Sequence, residues 1–461
     1  MMTGPPSNHP FTDYLDHLDV NSVAQSLEAH FFDPILGRDK PYTGPDGIAW
    51  QHVKPNLLAH VETVRQQLRK GRFTFTPFQR TPLNSLTPPT PNRHGKPMKK
   101  KGPDPSPNKV RVVYKPSIRN VTAQTCLLAY LAPRLNSQFS AASYAYQPGK
   151  SAHGAVKRLW RSLTADRPCG LVFDIVGFFD HLDHDRLLAD AQQLLGTDWD
   201  PLLEAMLRRY LKTGSVQRPR KHQPAHGRLN SQHPSRGYQP RHQGVPQGGA
   251  LSALLSNVAL HGLDTYAAGH WYDVTYIRYA DNIALLGSSM AQVKACYDDL
   301  THVLDNDYGL AVYGPDEAAN SDKFQWVNLA KPTDAHTATP YLTFLGYRIE
   351  RDSIKIAPAN VAAFKLKVRH LCQGWQRRCD PPEKLLEQLG RLIDGPVQAQ
   401  TGEPMGYGWR HYFSLCSNRG QFRELSAWLA RTLQKTLHAT KHDTNQDIPY
   451  DTTPLTLTLL K

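Results

Sequence analysis

The stretch Tyr276-Ile277-Arg278-Tyr279-Ala280-Asp281-Asn282-Ile283-Ala284-Leu285-Leu286-Gly287 constrains the fold most. Two short runs of β-branched, aromatic and aliphatic residues flank a polar tip, the pattern of a tight β-hairpin that presents Asp281 at its turn. A lone Asp in a turn is commonly a turn former, because its carboxylate can hydrogen-bond nearby backbone. A second carboxylate changes the question. It lies far upstream in a similarly apolar strand, Val172-Phe173-Asp174-Ile175. The sequence is therefore read for whether Asp174 and Asp281 meet.

Composition narrows the setting. A chain of 461 residues predicts two or three subdomains around a continuous core. Its 40% hydrophobic content and mean hydropathy of −0.52 describe a soluble globular protein. No apolar run approaches the roughly 18–20 residues that span a bilayer, and Met1-Met2-Thr3-Gly4-Pro5-Pro6 has no signal-peptide pattern. Cytoplasmic residence without a membrane partner is the expectation. A net charge of +14 and a pI near 9.4 point to a polyanionic partner. The six cysteines include no Cys-x-x-Cys pair, and most of them read as small buried apolar residues.

In chain order, residues 1–42 read as an N-terminal extension with one amphipathic helix around Val20–Phe32. A helix follows through Leu57, Val61, Val64 and Leu68, then a strand over Arg72–Thr76. Residues 81–108, with Lys99, Lys100 and Lys101, form a basic loop, either merely solvated or a phosphate-contacting arm. Lys109–Pro116 reads as a strand with Lys109 and Arg111 on one face, and Arg119 starts the next helix. Gly149-Lys150-Ser151 lacks the upstream glycine of a phosphate-binding loop, so that reading is rejected. His181 and His184 lie three apart among carboxylates but have no third ligand at useful spacing, which favours capping and packing.

A second basic insert is expected over 213–243. Gly244-Val245-Pro246-Gln247-Gly248-Gly249 then opens a helix, where glycines permit close backbone approach to a ligand. Tyr341–Ile349 reads as one strand. Beyond Ile356 the pattern is helical, with stripes at Val361–Leu371, at Leu386, Leu389 and Ile393, and at Phe422–Leu433. Lys365, Lys367 and Arg369 give the first of these helices a basic face.

In this order the motifs resemble a prokaryotic reverse transcriptase of the group II intron-like, maturase type. The resemblance runs from Gly44-Pro45-Asp46-Gly47 through Arg111–Gln124 and Ser143–His153 to Asp174–His184. It continues through Pro246–Gly249, Tyr279-Ala280-Asp281-Asn282 and Phe344–Tyr347 to Gly408-Trp409 and Tyr412-Phe413. It implies an α+β right-hand polymerase fold: fingers over 43–153, a palm with an antiparallel sheet packed on helices over 154–355, an all-helical thumb over 356–440, and a tail over 441–461.

The activity implied is RNA-directed DNA polymerisation, adding dNTPs to a 3′-hydroxyl by two-metal nucleotidyl transfer. The expected metal frame is Asp174, the Ile175 carbonyl and Asp281, with Asn282 in place of the family's last Asp. Two Mg²⁺ ions suit these hard oxygens, with Mn²⁺ as the alternative. Phe179, five positions beyond Asp174, matches the residue that excludes a ribose 2′-hydroxyl. Lys109 or Arg111, with Arg119, are the cations expected to hold the triphosphate, and Gln247 and Gly248 should line the nucleotide pocket. Lys323 resembles the lysine that protonates pyrophosphate, or is a surface lysine. Tyr279, Lys365, Arg369 and the Lys99–Lys101 run should follow template and primer.

The implied partners are an RNA template, a DNA or RNA primer and dNTPs. The short segment after Leu433 leaves little room for the DNA-binding and nuclease domains of mobile intron proteins. The expectation is a domesticated, antiviral-defence enzyme working with a non-coding RNA, and with a partner protein or a second copy of itself. The alternatives are an intron or CRISPR-associated enzyme, an RNA-binding scaffold with a weakened site, or protein-primed or weakly templated synthesis.

Overall fold

A computed structural model describes residues 9–33, 38–83, 111–164, 166–217, 237–315, 323–329, 340–378, 380–396 and 408–441. Lys99, Lys100, Lys101 and Lys109 lie outside them, as does most of each expected basic insert. No helix among the described residues is long and apolar enough to cross a membrane.

The centre is a four-stranded antiparallel sheet in the order Thr275–Tyr279, Asn282–Gly287, Cys169–Asp174, Phe324–Asn328. Cys169–Asp174 is buried along its whole length, which accounts for its near-continuous apolar text. Side chains alternate between the two faces. Leu171, Phe173, Tyr276, Ile283 and Leu285 enter one core, and Val172, Ile277, Ala284 and Leu286 enter another. The sheet divides the molecule's two apolar clusters.

The first cluster joins the sheet to helices His184–Leu195, Pro201–Lys212 and Ala250–Ala259, and onward to Leu57–Arg69 and Ile118–Leu135. The N-terminal helices Pro10–His17 and Val20–Phe31 belong to the same core, through Phe11, Leu15, Leu27 and Phe31. Asp200 shows the coupling directly: its carboxylate caps helix Pro201–Lys212 at Leu203 N (2.9 Å) and accepts from Phe11 N (2.8 Å).

A second sheet runs Arg111–Lys115, Phe78–Leu83, Ser215–Gln217, the first pair antiparallel and the second parallel. It corrects two expectations. Arg72–Thr76 is not a strand, because helices on either side take its polar groups: Arg72 and Phe73 N–H donate to the Gln67 carbonyl (2.9 and 3.0 Å), Thr76 N–H donates to Asn120 Oδ1 (3.0 Å), and Asn120 Nδ2 donates back to the Thr76 carbonyl (2.7 Å). The 213–243 insert is not all loop, since Ser215–Gln217 pairs with Phe78–Arg80.

Tyr341–Ile349 also differs from expectation. It folds into strands Leu342–Phe344 and Tyr347–Ile349, joined by a turn with positive φ at Leu345 (49°) and Gly346 (82°), and Ile354–Ile356 adds a third strand. The helices Pro358–Arg378, Pro382–Asp394 and Arg419–Lys441 complete the second core through Phe364, Val368, Leu389, Ile393, Leu425 and Leu429. The second helix buries Leu385 rather than Leu386. The 3.6-residue period sets Leu385 in line with Leu389.

Candidate active site

The hairpin expected around Asp281 has a two-residue loop, Ala280-Asp281, between strand ends Tyr279 and Asn282. Positive φ falls on the first loop residue, Ala280 (56°), the pattern of a II′ hairpin turn, where glycine is preferred. A non-glycine residue there stores roughly 1–2 kcal/mol of strain. The surroundings hold it. Arg278 Nη1 donates to the Ala280 carbonyl (3.2 Å), and Ile175 N–H donates to the Asp281 carbonyl (3.1 Å).

The second bond brings the two predicted carboxylate segments together. In the sheet register Asp174 stands opposite Asn282, and Asn282 opposite Tyr279. On the other flank, Asp174 N–H donates to the Lys323 carbonyl (3.1 Å) and the Lys323 ammonium contacts Asp174 Oδ2. Tyr279, Asn282, Asp174 and Lys323 thus form one row across the sheet, with Asp281 at the turn beside it. Asp174 is 3% exposed and half-exposed Lys323 is its cationic partner.

The oxygens available are the Asp174 and Asp281 carboxylates, the Asn282 amide and the Ile175 carbonyl, a hard donor set that fits Mg²⁺. Among the described residues no group of three His, Cys, Asp or Glu side chains forms a metal cluster.

Phe179, Gln247, Gly248, Gly249, Val113 and Tyr146 are among the residues that line a cavity of about 690 Å³. Three of these are predicted nucleotide-site residues: Phe179, Gln247 and Gly248. Phe179 packs edge-on against buried Phe178 (5.2 Å between ring centres), and its carbonyl accepts from Val245 N–H (2.7 Å). The Gln247 carbonyl accepts from Tyr114 N–H (3.0 Å), tying the strand Arg111–Lys115 to the glycine loop. Gly244 has φ +77°, and a Cβ there would lie 2.7 Å from the Phe179 carbonyl oxygen and 2.6 Å from that of Asp180. Only glycine fits that turn.

Arg119 is used elsewhere. Its guanidinium donates to the Thr74 carbonyl and Gln67 Oε1 (both 2.6 Å) and stacks on Phe73 at 4.0 Å, and burial lowers its pKa. Arg111 begins the strand Arg111–Lys115, next to the cavity-lining Val113. Lys365 and Arg369 lie together over Trp428, at 5.4 and 5.6 Å from its ring centre, away from the carboxylate row in the C-terminal helices.

Sequence reasoning missed the support beneath the hairpin. Arg278 is fully buried on the face opposite the carboxylate row, with Nε donating to Asp264 Oδ1 (2.7 Å) and Nη2 to Oδ2 (2.5 Å). Tyr276 OH donates to Asp264 Oδ1 (2.8 Å), and Arg278 Nη1 also reaches Asn257 Oδ1 (3.3 Å). The available signal was an arginine inside an apolar strand, which must find a buried acceptor.

The chain matches the family described as reverse transcriptase (RNA-dependent DNA polymerase) over residues 98–349. It is 22% identical to Protein YkfC of Escherichia coli (strain K12) over 347 residues, covering 67% of this chain and 76% of that protein. It is 30% identical to the group II intron-encoded protein LtrA of Lactococcus lactis subsp. cremoris over 128 residues, 28% of this chain and only 18% of LtrA. Among solved structures, apo telomerase from Candida tropicalis is similar at a TM-score of 0.43 and 11% identity, covering 84% of this chain and 62% of that one. The family match takes in both carboxylate strands, the glycine loop and Lys323, more than half of the chain. This protein belongs to the reverse transcriptase family and is an RNA-directed DNA polymerase.

Proposed function

We propose that the chain extends a primer 3′-hydroxyl on an RNA template with dNTPs, using a metal frame of Asp174, Asp281, the Ile175 carbonyl and the Asn282 amide. The observation that carries this is the row Tyr279–Asn282–Asp174–Lys323, with Asp281 bonded through its carbonyl to Ile175. Two divalent ions, when bound there, would supply activation of the hydroxyl and neutralisation of the triphosphate. The chain's own residues do the rest. Asp174 and Asp281 fix where cationic charge gathers, and Lys323 is in reach to give a proton to the leaving pyrophosphate. Phe179, on the cavity wall, would exclude a 2′-hydroxyl by its bulk. Tyr279 would support the primer end, and Lys365 and Arg369 would track the duplex backbone.

On this reading the fingers, palm and thumb occupy 43–153, 154–355 and 356–440, and the net charge of +14 supports an RNA partner. The biological setting we propose is antiviral defence with a non-coding RNA; unchanged phage sensitivity on deletion would remove that setting. Asn282 favours a second reading, an RNA-binding scaffold with a weakened polymerase site. Primer extension on RNA with dNTPs separates the two. Extension in Mg²⁺ or Mn²⁺ that is lost in Asp174→Ala supports the enzyme reading, and inactivity in both ions supports the scaffold.

A further inference from the structure

Helix Pro201–Lys212 carries the fully buried Tyr210 against the glycine loop and the helix that the loop opens. Phe75 and Phe78 meet its ring edge-on, with ring centres 5.4 and 6.0 Å away. Its hydroxyl lies 2.7 Å from Ser252 Oγ and 3.4 Å from Gln124 Oε1, both on buried side chains. Ser252, in the first turn of helix Ala250–Ala259, donates in turn to the Pro246 carbonyl (2.8 Å).

These contacts run in one direction. A serine hydroxyl has a single proton, and that of Ser252 is committed to a carbonyl, which can only accept. Tyr210 must therefore donate to Ser252 Oγ, and Ser252 to Pro246. Burial raises the pKa of Tyr210, which keeps the phenol in the protonated form that this direction requires. The Gln124 amide is oriented at its other end, where Nε2 donates to the Asn120 carbonyl (3.2 Å).

The loop closes tightly on this network. A Cβ on Gly249 would lie 2.8 Å from Gln124 Oε1 and 3.2 Å from the Tyr210 hydroxyl oxygen, so this glycine makes room for buried side chains. The next carbonyl along, that of Gln247, accepts from Tyr114 N–H (3.0 Å). Two consecutive loop carbonyls are thus held by different elements. Their peptide planes flank the Gln247 Cα, and fixing both planes fixes the direction in which its side chain leaves the backbone.

We propose that Tyr210 and Ser252 are positioning residues for nucleotide binding, acting through the Pro246 carbonyl on Gln247 and Gly248, a role that rests on the reading that those two line the nucleotide pocket. Both lie outside the motifs that carry the family resemblance.

Steady-state primer extension by full-chain variants, with dNTP varied at saturating primer–template, tests this. Tyr210→Phe keeps the ring and its packing and removes only the donor. KM for dNTP should rise about five-fold, the effect of one neutral hydrogen bond, with kcat within about two-fold of wild type. Partial unfolding alone would do the reverse, lowering kcat through the active fraction and leaving KM in place. Ser252→Ala should raise KM at least as far, and Tyr210→Phe/Ser252→Ala no further than Ser252→Ala, because the two side chains act in series. Hydrogen exchange at the Gly248 and Gly249 amides should quicken in Tyr210→Phe, which follows the loop without turnover. Gln247→Ala is the reference for the pocket itself. A raised KM in Gln247→Ala with an unchanged one in Tyr210→Phe would overturn the positioning role and leave the nucleotide pocket standing; unchanged KM in both would overturn the pocket and the positioning role together. Additive effects in the double variant, or unchanged exchange at those amides, would also overturn the role.

Discussion

Asp174 and Asn282 are opposed across the central antiparallel pair, so an amide stands directly beside the buried carboxylate and Asp281 flanks it from the turn. Residues opposed in this way have Cβ atoms about 4.5–5.5 Å apart, close enough to share one ion. Asn282→Asp is therefore expected to lower the Mg²⁺ concentration for half-maximal primer extension by roughly ten-fold, since ligand charge sets affinity at such sites. Asp281→Asn should abolish extension. A Mg²⁺ titration of both variants checks this, and identical curves to wild type would rule out the proposed frame.

Lys323 faces Asp174 from the other flank and is half-exposed. Lys323→Gln should cost only about 1 kcal/mol of stability, because solvent screens the exposed ammonium. If it donates the proton to pyrophosphate, single-turnover extension should slow by roughly 10²-fold or more. Wild-type single-turnover rates in Lys323→Gln would leave it a structural counter-ion only.

The Arg278–Asp264 pair, with both side chains at 1% exposure or less, braces the hairpin from the opposite face. Arg278→Ala should destabilise the protein by about 3–5 kcal/mol, because Asp264 is left buried without its partner. Arg278→Met with Asp264→Leu should recover much of that loss. Urea denaturation of the single and double variants reads the difference, and a single-variant loss below about 1 kcal/mol would show that the pair is not the brace.

Phe179→Val opens the cavity wall without removing a carboxylate. The ratio of kcat/KM for dNTP over rNTP should fall by roughly 10²-fold, through gain of rNTP use. Equal discrimination in the variant and wild type would relegate Phe179 to packing on Phe178.

Burial lowers the pKa of His30, His60, His184 and His261. Each takes up its proton more readily when unfolded, near the ordinary value of about 6.5, so stability is full above that pH and declines as pH falls below it. Denaturation midpoints should rise between about pH 5 and 7, and His184→Gln should shallow the slope. A flat profile over that window would contradict the assignment.

The carboxylate strands, the glycine loop and the apolar helical stripes were legible because each is a local pattern: alternation, a turn residue, a 3.6-residue period. Two errors came from backbone groups satisfied at a distance. Arg72–Thr76 has strand-like text, but Gln67 and Asn120 take its hydrogen bonds; Ser215–Gln217 looks like loop, but Phe78–Arg80 supplies its ladder. Leu345 in a positive-φ turn was equally invisible, since nothing in a leucine announces it.

The sequence by itself determined which residues could form the polymerase site, because its chemistry needs acids at the ends of apolar strands in a fixed order. It could not decide their neighbours. That Asp174 lies between Asn282 and Lys323, and that Arg119 turns inward to Thr74 while Arg278 anchors the hairpin from below, follows from strand register and long-range burial. These contacts join residues far apart in the chain, and only the closed tertiary structure brings them within bonding distance.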